Sequence, residues 1–237
     1  MNTPLGYQNL YELDINPGGT ANYKRIASGY TGATGALNED TSQQAYLDGY
    51  GGKSTRVTGF QLTFAFAGER DPNDDVQNFV FSKMLTMGAS RDTNGRVTFA
   101  DGTVVSGPCT IVNIQPPGGA ANDPQACGFD MHFNGKPTLA PPVPATALTA
   151  TIAIGSVIGT TKATVTPGVG NKLGYKLSSA ALTAKNRAYV EDFVAYTSGN
   201  DIPAAVGQYL NIYELDAYNH VVKFASQVLA SGDIKSV

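Results

Sequence analysis

The segment GFQLTFAF, residues 59–66, constrains the fold of this chain more than any other feature. Its large apolar side chains occupy every second position: Phe60, Leu62, Phe64 and Phe66. Successive side chains of a strand point to opposite faces, so this period of two predicts a strand with one buried face. Short runs of the same type fill most of the chain. The sequence therefore predicts a mainly β protein.

Two dipeptides predict tight turns between such strands. Asn94-Gly95 and Asp101-Gly102 both lie between short β-type runs. These pairs favour the turns that connect the strands of a β-hairpin, because both residue types tolerate a positive φ. We therefore expect a hairpin turn at each of these positions.

One helix is predicted among these strands, in DPNDDVQNFVFSKMLTMG, residues 71–88. Asp71 suits the N-cap and Pro72 the first helical position, while Gly88 suits the end. Asp74 and Asp75 complement the positive end of the helix dipole. The apolar stripe expected to pack on a sheet consists of Val76, Phe79, Val80, Met84 and Met87.

A proline cluster predicts a domain boundary near Ala140. Four prolines lie within the eight residues from Pro137 to Pro144, and proline fixes φ and removes a hydrogen-bond donor. We therefore expect one β domain over residues 1–140 and an extended linker over 141–150. Residues 151–237 contain further short strands, which predict a small domain of the β-sandwich type.

The charge distribution argues against nucleic-acid binding, which needs clustered Lys and Arg. Up to Ala140 the chain has 9 basic and 13 acidic residues, a net charge of 9 − 13 = −4. Charged residues make up only 15% of the chain, against about 25% in an average protein. Such a composition suits a β protein, or one whose surface is largely covered by other subunits.

The segment Gly52-Lys53-Ser54 matches the end of a phosphate-binding loop, but its context does not. Leu47 occupies the position at which the motif requires its first glycine. A strand rather than a helix is predicted after Ser54. Without a helix N-terminus there are no free backbone amides aimed at a phosphate. We interpret this segment as a glycine-rich loop rather than a nucleotide site.

The remaining motifs also fail as sites of chemistry. Asp71, Asn73 and Asp75 resemble half of a calcium loop, but Val76 and Ser82 replace the required glycine and glutamate. The two histidines, His132 and His220, have no partners at the spacing of a catalytic triad or a zinc site. The two cysteines, Cys109 and Cys127, are expected to be buried free thiols. The sequence thus predicts no enzyme, no catalytic residue, no metal and no cofactor.

The ends and apolar runs of the sequence predict a soluble protein made in the cytoplasm. The start, MNTPLGYQNLYELD, lacks the basic-then-apolar pattern of a signal peptide. No run of 18 apolar residues is present that would predict a membrane span. A short echo, NLYELDI at 9–15 and NIYELDA at 211–217, is interpreted as two similar hairpin openings rather than as a duplicated domain.

The order of several segments resembles the major tail tube proteins of long, non-contractile-tailed bacteriophages. A polar stretch ending in YLDGYGG leads into a strand ending in FAFAGERD, and the helix containing DDVQNFV follows. The resemblance covers residues 9–137. The C-terminal part, from ATVTPGVGNKLGYKLSSA onward, looks like a module also found in bacterial surface proteins.

This resemblance implies a β-sandwich with one flanking α-helix. It implies that six copies form a ring whose inner sheets join into a barrel, and that rings stack into a tube for DNA passage. The C-terminal domain would lie on the tube exterior. Partners would be other copies, a tape measure protein and tail-end proteins, with DNA passing without specific binding and no membrane involved. The protein would belong to the virion tail and be assembled in the bacterial host cytoplasm.

Residues 28–55 are predicted to form a long polar loop that becomes ordered against a neighbouring subunit or the next ring. The candidate subunit-contact residues, in this loop and directly after it, are Glu39, Asp40, Asp48, Tyr50, Lys53 and Arg56. The alternative function is a β-domain adhesin or carbohydrate-binding surface module, whose C-terminal domain would bind the ligand. The absence of Trp and of a signal peptide argues against that alternative. A phage tail and a headless bacteriocin-like particle remain equal possibilities.

Overall fold

The computed structural model describes residues 3–236 and divides the chain into two compact units. Unit 1 comprises the described residues up to 97 together with 104–139. Unit 2 comprises residues 98–103 and the described residues from 140 onward, so the expected linker at 141–150 falls within it. The described chain is mainly β with one α-helix, which confirms the predicted fold class.

Unit 1 is built on one eight-stranded sheet and one two-stranded sheet. The order in the large sheet is β2-β1-β7-β8-β9-β6-β3, with β10 paired to β8, and β4 pairs only with β5. The strands are β1 Leu10–Asp14, β2 Tyr23–Arg25, β3 Tyr30–Ala36, β4 Asp40–Ala45, β5 Lys53–Gly59, β6 Thr63–Glu69, β7 Asp92–Thr98, β8 Val104–Gly118, β9 Ala126–Phe133 and β10 Thr138–Ala140. Short 3-10 turns occupy Gly6–Gln8, Leu47–Gly49 and Gly88–Arg91.

Aromatic side chains of β6 and β9 form the centre of the unit 1 core. Phe66 stacks on Phe129 with ring centroids 5.0 Å apart, and Phe64 meets Phe133 edge to face. The predicted alternation is therefore confirmed at Phe64 and Phe66, which are buried. It is wrong at Phe60, which is exposed because the strand begins only at Thr63. Cys109 and Cys127 are buried free thiols, as predicted.

The helix α1 is shorter than the sequence predicts, running from Asp75 to Ser82. Its N-cap is Asp74, whose carboxylate accepts a 2.7 Å hydrogen bond from the N–H of Gln77. The predicted cap, Asp71, instead accepts from the N–H of Asn73 in the turn before the helix. Met87 lies beyond the end of the helix and is exposed, so the predicted stripe is wrong beyond Val80.

A fully buried glutamine anchors α1 to the sheet. The Gln77 side-chain nitrogen donates to the carbonyls of Ser28 and Glu69 at 2.8 and 3.0 Å. Its oxygen accepts from the N–H of Asp71 at 2.8 Å and from Arg70 Nη1 at 3.1 Å. One side chain on α1 thus bonds to two other segments of the chain, at Ser28 and at residues 69–71.

Unit 2 consists of two facing sheets with an apolar core. One sheet has the order β11-β18-β17-β14-β15 and the other the order β12-β13-β16. Residues from both sheets, including Ala163, Ile202, Leu210 and Ile212, form its core. The strands are β11 Thr146–Ala147, β12 Thr151–Ile154, β13 Thr160–Thr164, β14 Lys172–Ser178, β15 Val194–Tyr196, β16 Asp201–Pro203, β17 Tyr209–Leu215 and β18 Val221–Val228, followed by a 3-10 turn at Ser231–Asp233.

The repeated sequence YELD opens a hairpin in each unit, and its glutamate has the same structural role twice. In unit 1 Glu12 is buried on β1 and accepts from Arg96 of β7 at 2.6 and 2.7 Å. In unit 2 Glu214 is buried on β17 and lies 3.2 Å from Lys223 of β18. Each carboxylate therefore pairs with a cation on a neighbouring strand, where an unpaired charge would destabilise the sheet.

The aspartate of the same sequence shapes the turn that follows each strand. Asp14 Oδ1 accepts from the N–H groups of Asn16 and Asn22 at 3.0 and 2.9 Å. Asp216 Oδ1 accepts from the N–H groups of Tyr218 and His220 at 2.8 and 2.9 Å. In both units the aspartate stabilises the turn after the strand. Each segment opens an antiparallel hairpin, as predicted.

Replacing Glu214 with glutamine is expected to destabilise unit 2 by about 1–3 kcal/mol at pH 7. Burial alone would raise the pKa of Glu214, but hydrogen bonds from Asn171, the Gly168 N–H and Lys223 lower that pKa below 4.5. A lowered pKa contributes stability above pH 4.5 that is lost as the pH falls through the folded-state value. The E214Q penalty should therefore shrink as the pH falls below this value, in thermal unfolding followed by circular dichroism. An equal penalty at about pH 3 and about pH 7 would contradict this.

Candidate assembly surfaces

The first candidate surface is a β-hairpin that extends from the large sheet of unit 1. We call residues 40–59, which comprise β4, β5 and the turn between them, the arm. The β3–β6 ladder ends where Ala36 faces Thr63, and a bond from the Gln61 N–H to the Leu37 carbonyl continues it. The arm begins shortly beyond this bond, where Asp40 faces Gly59. The arm therefore extends the chain segments of β3 and β6 beyond the large sheet.

Exposure distinguishes the arm from the other strands of unit 1 except the short β10, which is also exposed throughout. Every residue of β4 is exposed, and so is every residue of β5 except Gly59. At its tip, which we define as residues 46–52, the side chains of Leu47 and Tyr50 are 102% and 100% exposed. Tyr50 adopts a left-handed backbone conformation with φ of 51°, which is uncommon for a bulky residue. Two large apolar side chains held fully in solvent make the tip a candidate interaction surface.

The six predicted contact residues all belong to this part of the chain. Asp48 lies in the 3-10 turn at the tip, with Tyr50 directly after that turn. Lys53 and Arg56 lie on β5, while Asp40 begins β4 and Glu39 directly precedes it. None of the charged residues among these six forms an ion pair with another described residue. Their contact role remains a prediction.

The predicted form of this segment is wrong, although its exposure is not. The sequence predicts one long loop over residues 28–55, but they contain β3, β4 and the start of β5. Both faces of β4 and β5 carry polar side chains, so the sequence shows no apolar–polar alternation that would predict these strands. One face carries Ser42, Gln44, Ser54, Arg56 and Thr58 around a shallow groove of about 300 Å³. Threonine and neighbouring polar pairs can still support a hairpin.

The second candidate surface, here called the outer face, is the face of β3, β6, β9 and β8 that points away from the aromatic core. Paired residues share a face in an antiparallel sheet, so the register defines its members. Small residues dominate its centre, and Glu69 and Asp130 supply acidic groups. From the described pairings its members are Gly32, Thr34, Ala36, Thr63, Ala65, Ala67, Glu69, Thr110, Val112, Gln115, Gly118, Ala126, Gly128, Asp130 and His132. None of these paired residues is Lys or Arg.

The third candidate surface is formed by the two edges of the large sheet. β2 and β3 end the strand order, so each has one edge without a strand partner among residues 3–236. Unpaired edges of this kind are templates for pairing with another chain. The backbone of unit 1 would therefore allow β2 or β3 of one copy to pair with an edge strand of another copy.

The fold places each of the two histidines near one aspartate. His132 lies 3.8 Å from Asp130, and His220 lies 3.7 Å from Asp216. Within residues 3–236 no three His, Cys, Asp or Glu side chains are placed to hold a metal ion. Ser54 is followed by a strand, as predicted, and not by a phosphate-binding helix. No described helix has both the length and the apolar character needed to cross a membrane.

Comparison with known proteins gives matches of different kinds for the two parts of the chain. Residues 153–232 match the family model of the S-layer protein SbsC C-terminal domain. No curated protein matches the sequence significantly. A solved chain from the tail of an empty gene transfer agent particle with C6 symmetry is 17% identical, with a TM-score of 0.49. That match covers 59% of this chain and 100% of the other.

Two further solved structures are also distant matches. A chain from the cap that terminates the tube of an anti-feeding prophage is 11% identical with a TM-score of 0.41, covering 59% of this chain and 93% of that one. Domains 7, 8 and 9 of the S-layer protein SbsC are 20% identical with a TM-score of 0.37. That match covers 57% of this chain and 38% of the SbsC chain.

Proposed function

We propose that this chain is a structural subunit of a tail tube, in which six copies form a ring and rings stack around a channel for DNA. The observation that carries the proposal is the arm, with two fully exposed apolar side chains at its tip. A lone copy leaves this apolar surface in water, whereas contact between copies buries it. The proposal rests on the surfaces of unit 1 and on the sequence resemblance, because the structural matches are distant.

The unpaired edges of the large sheet support ring formation. Edge β3 of one copy can pair with edge β2 of the next, so that the sheets join around the ring. Head-to-tail contacts of this kind use two different patches, and they close into a ring when the rotation permits. Closure removes the sheet edges, which otherwise favour uncontrolled aggregation.

The outer face supports a role as the lining of the channel. Its acidic groups, Glu69 and Asp130, repel phosphate, and its paired residues include no Lys or Arg. DNA binding depends on such cations, so DNA would slide along this surface without adhering. Tape measure and tail-end proteins would be further partners in the virion, with assembly in the host cytoplasm. Unit 2 would be an exterior domain, and the protein would have no enzymatic activity.

Removing the apolar tip tests the proposal directly. Burial of one such side chain contributes about 1.5–3 kcal/mol. The double variant L47S/Y50S should therefore raise the concentration needed for assembly at least about a hundredfold. Sedimentation and negative-stain electron microscopy of concentrated protein, with and without a tail-initiating complex, provide the measurement. Wild-type protein should form rings or tubes with six-fold symmetry and a central channel.

A matched control separates this effect from a general change in solubility. Val169 of unit 2 is also fully exposed, so V169S removes an exposed apolar side chain that does not belong to the arm. We expect V169S to assemble as wild type does. Circular dichroism should show that all variants are folded. Assembly of L47S/Y50S at the wild-type concentration would contradict a role of the tip in the tube.

A second candidate function is a surface-binding module, such as an adhesin or carbohydrate binder. The match of residues 153–232 to a domain of an S-layer protein favours it, and it concerns only unit 2. This function predicts glycan binding by the monomer, which a glycan array would detect. Binding without any assembly would favour this candidate over the tube subunit.

A further inference from the structure

The large sheet of unit 1 curls until its two ends approach each other. Tyr11 on β1 contacts Phe64 and Phe66 on β6 edge to face, with ring centroids 5.7 and 5.5 Å apart. In the strand order, β7, β8 and β9 separate β1 from β6. The contact therefore joins the two ends of the curled sheet through the core. The edge strands β2 and β3 are not paired with each other.

Between these two edges lies an open groove of about 450 Å³, which we call the seam groove. Tyr7, Tyr11, Tyr30 and Phe66 contribute aromatic rings to it. The three tyrosines are at least partly exposed along the seam, whereas Phe66 beneath them is buried. An apolar side chain from outside would bury aromatic area there and complete the core.

One basic residue borders the seam groove. Arg25 is the last residue of β2, and its Nη2 donates to the carbonyl of Tyr7 at 3.4 Å. A guanidinium forms bidentate hydrogen bonds with carboxylates. The groove therefore favours a partner that carries apolar side chains together with one acidic group.

The tip of the arm has this composition. Leu47 and Tyr50 are fully exposed, and Asp48 lies between them. Asp48 is the only charged residue from Thr41 to Gly52. Another segment of unit 1 has large apolar side chains that are nearly fully exposed, Leu85 at 90% and Met87 at 88%, but it carries no acidic residue from Met84 to Ser90. Charge complementarity thus selects the tip.

The tip cannot occupy the groove of its own copy. The groove is lined by the beginning of β3, at Tyr30–Ala33, whereas the arm continues from the other end of β3. The six residues of β4 add about 20 Å of extended chain between that end of β3 and the tip. The occupant must therefore belong to a second copy.

We propose that Leu47 and Tyr50 of one copy insert into the seam groove of a second copy, with Asp48 facing Arg25 there. This inference rests on the proposed tube function and identifies the receptor for the arm. It predicts a heterologous contact, because tip and groove are different surfaces of the same chain.

Charge reversal tests the pairing of Asp48 with Arg25. Each of D48R and R25D places like charges together and should raise the concentration needed for assembly at least about tenfold. The double variant D48R/R25D should restore assembly towards the wild-type concentration. D123R reverses an exposed acid outside the arm and the groove and should assemble normally. Absence of any rescue in the double variant would overturn the assignment of the groove.

Disulfide trapping supplies a second measurement that does not depend on charge. Tyr50→Cys with Thr31→Cys should give chains linked between copies when assembled tubes are oxidised. Tubes that form without such links, or links within one copy, would overturn the inference and leave the tube function standing. Wild-type protein that forms no ring or tube, even with an initiating complex, would overturn both.

Discussion

Gly68→Ala is expected to destabilise unit 1 by about 3 kcal/mol, the upper end of the usual cost of overpacking. A Cβ at this position would lie 2.2 Å from the Gly29 carbonyl oxygen and 2.5 Å from the Tyr30 Cα. Both are backbone atoms at the start of β3, so no side chain can move aside. The backbone must shift, and this weakens the hydrogen bond from the Glu69 N–H to the Gly29 carbonyl. Urea unfolding followed by circular dichroism provides the measurement.

A glycine on a neighbouring strand provides the matched control. A Cβ added at Gly32 of β3 would have no other atom within 4 Å, and the φ of Gly32 is not in the left-handed region. Gly32→Ala should therefore change the free energy of unfolding by no more than about 0.5 kcal/mol. Equal effects of G68A and G32A would show that close backbone approach is not the reason for glycine at position 68.

Gln77→Leu should destabilise unit 1 by about 3 kcal/mol, because it keeps the side chain's size but removes its hydrogen bonds. The carbonyls of Ser28 and Glu69 and the N–H of Asp71 lose their side-chain partner. These hydrogen bonds are partly shielded from water by the buried Gln77 side chain, so losing all of them together with the polar end of Gln77 is costly. Urea unfolding measures the loss. Hydrogen exchange should also become faster in peptides covering residues 27–31 and 69–77.

The control for this variant lies on the same helix. Ser82 is exposed at the last turn, and its Oγ bonds only locally, to the Phe79 carbonyl. Ser82→Ala should therefore remain within about 0.5 kcal/mol of the wild type. A Q77L protein as stable as S82A, with unchanged exchange at residues 27–31, would show that Gln77 does not anchor the helix.

Local sequence patterns predicted those elements whose side chains alternate or cap locally. The strand β6 follows from Phe64 and Phe66, and the helix follows from its acidic start, although its N-cap is Asp74. The expected turn at Asp101-Gly102 lies between β7 and β8, with Gly102 at φ of 89°. These features depend on interactions within a few residues, which the sequence contains directly.

Asn94-Gly95 shows where such a pattern is misleading. The dipeptide predicts a turn, but it lies inside β7. A Cβ on residue 95 would lie 2.4 Å from Met131 Sδ and 3.2 Å from Cys109 Sγ. Glycine is present there because distant strands pack closely, not because the backbone turns. A local signal cannot separate these two reasons.

Residue patterns alone were enough to establish the β class, one acid-capped helix and an exposed polar segment between β3 and β6. The folded arrangement was needed to show that this segment is an arm, that Gln77 joins three segments and that Arg25 borders a groove. The reason is the range of the interactions: periodicity and capping act between near neighbours, whereas sheet order and curl depend on pairings between distant strands. The Arg25 groove exists only because β2 and β3 end a sheet that curls on itself.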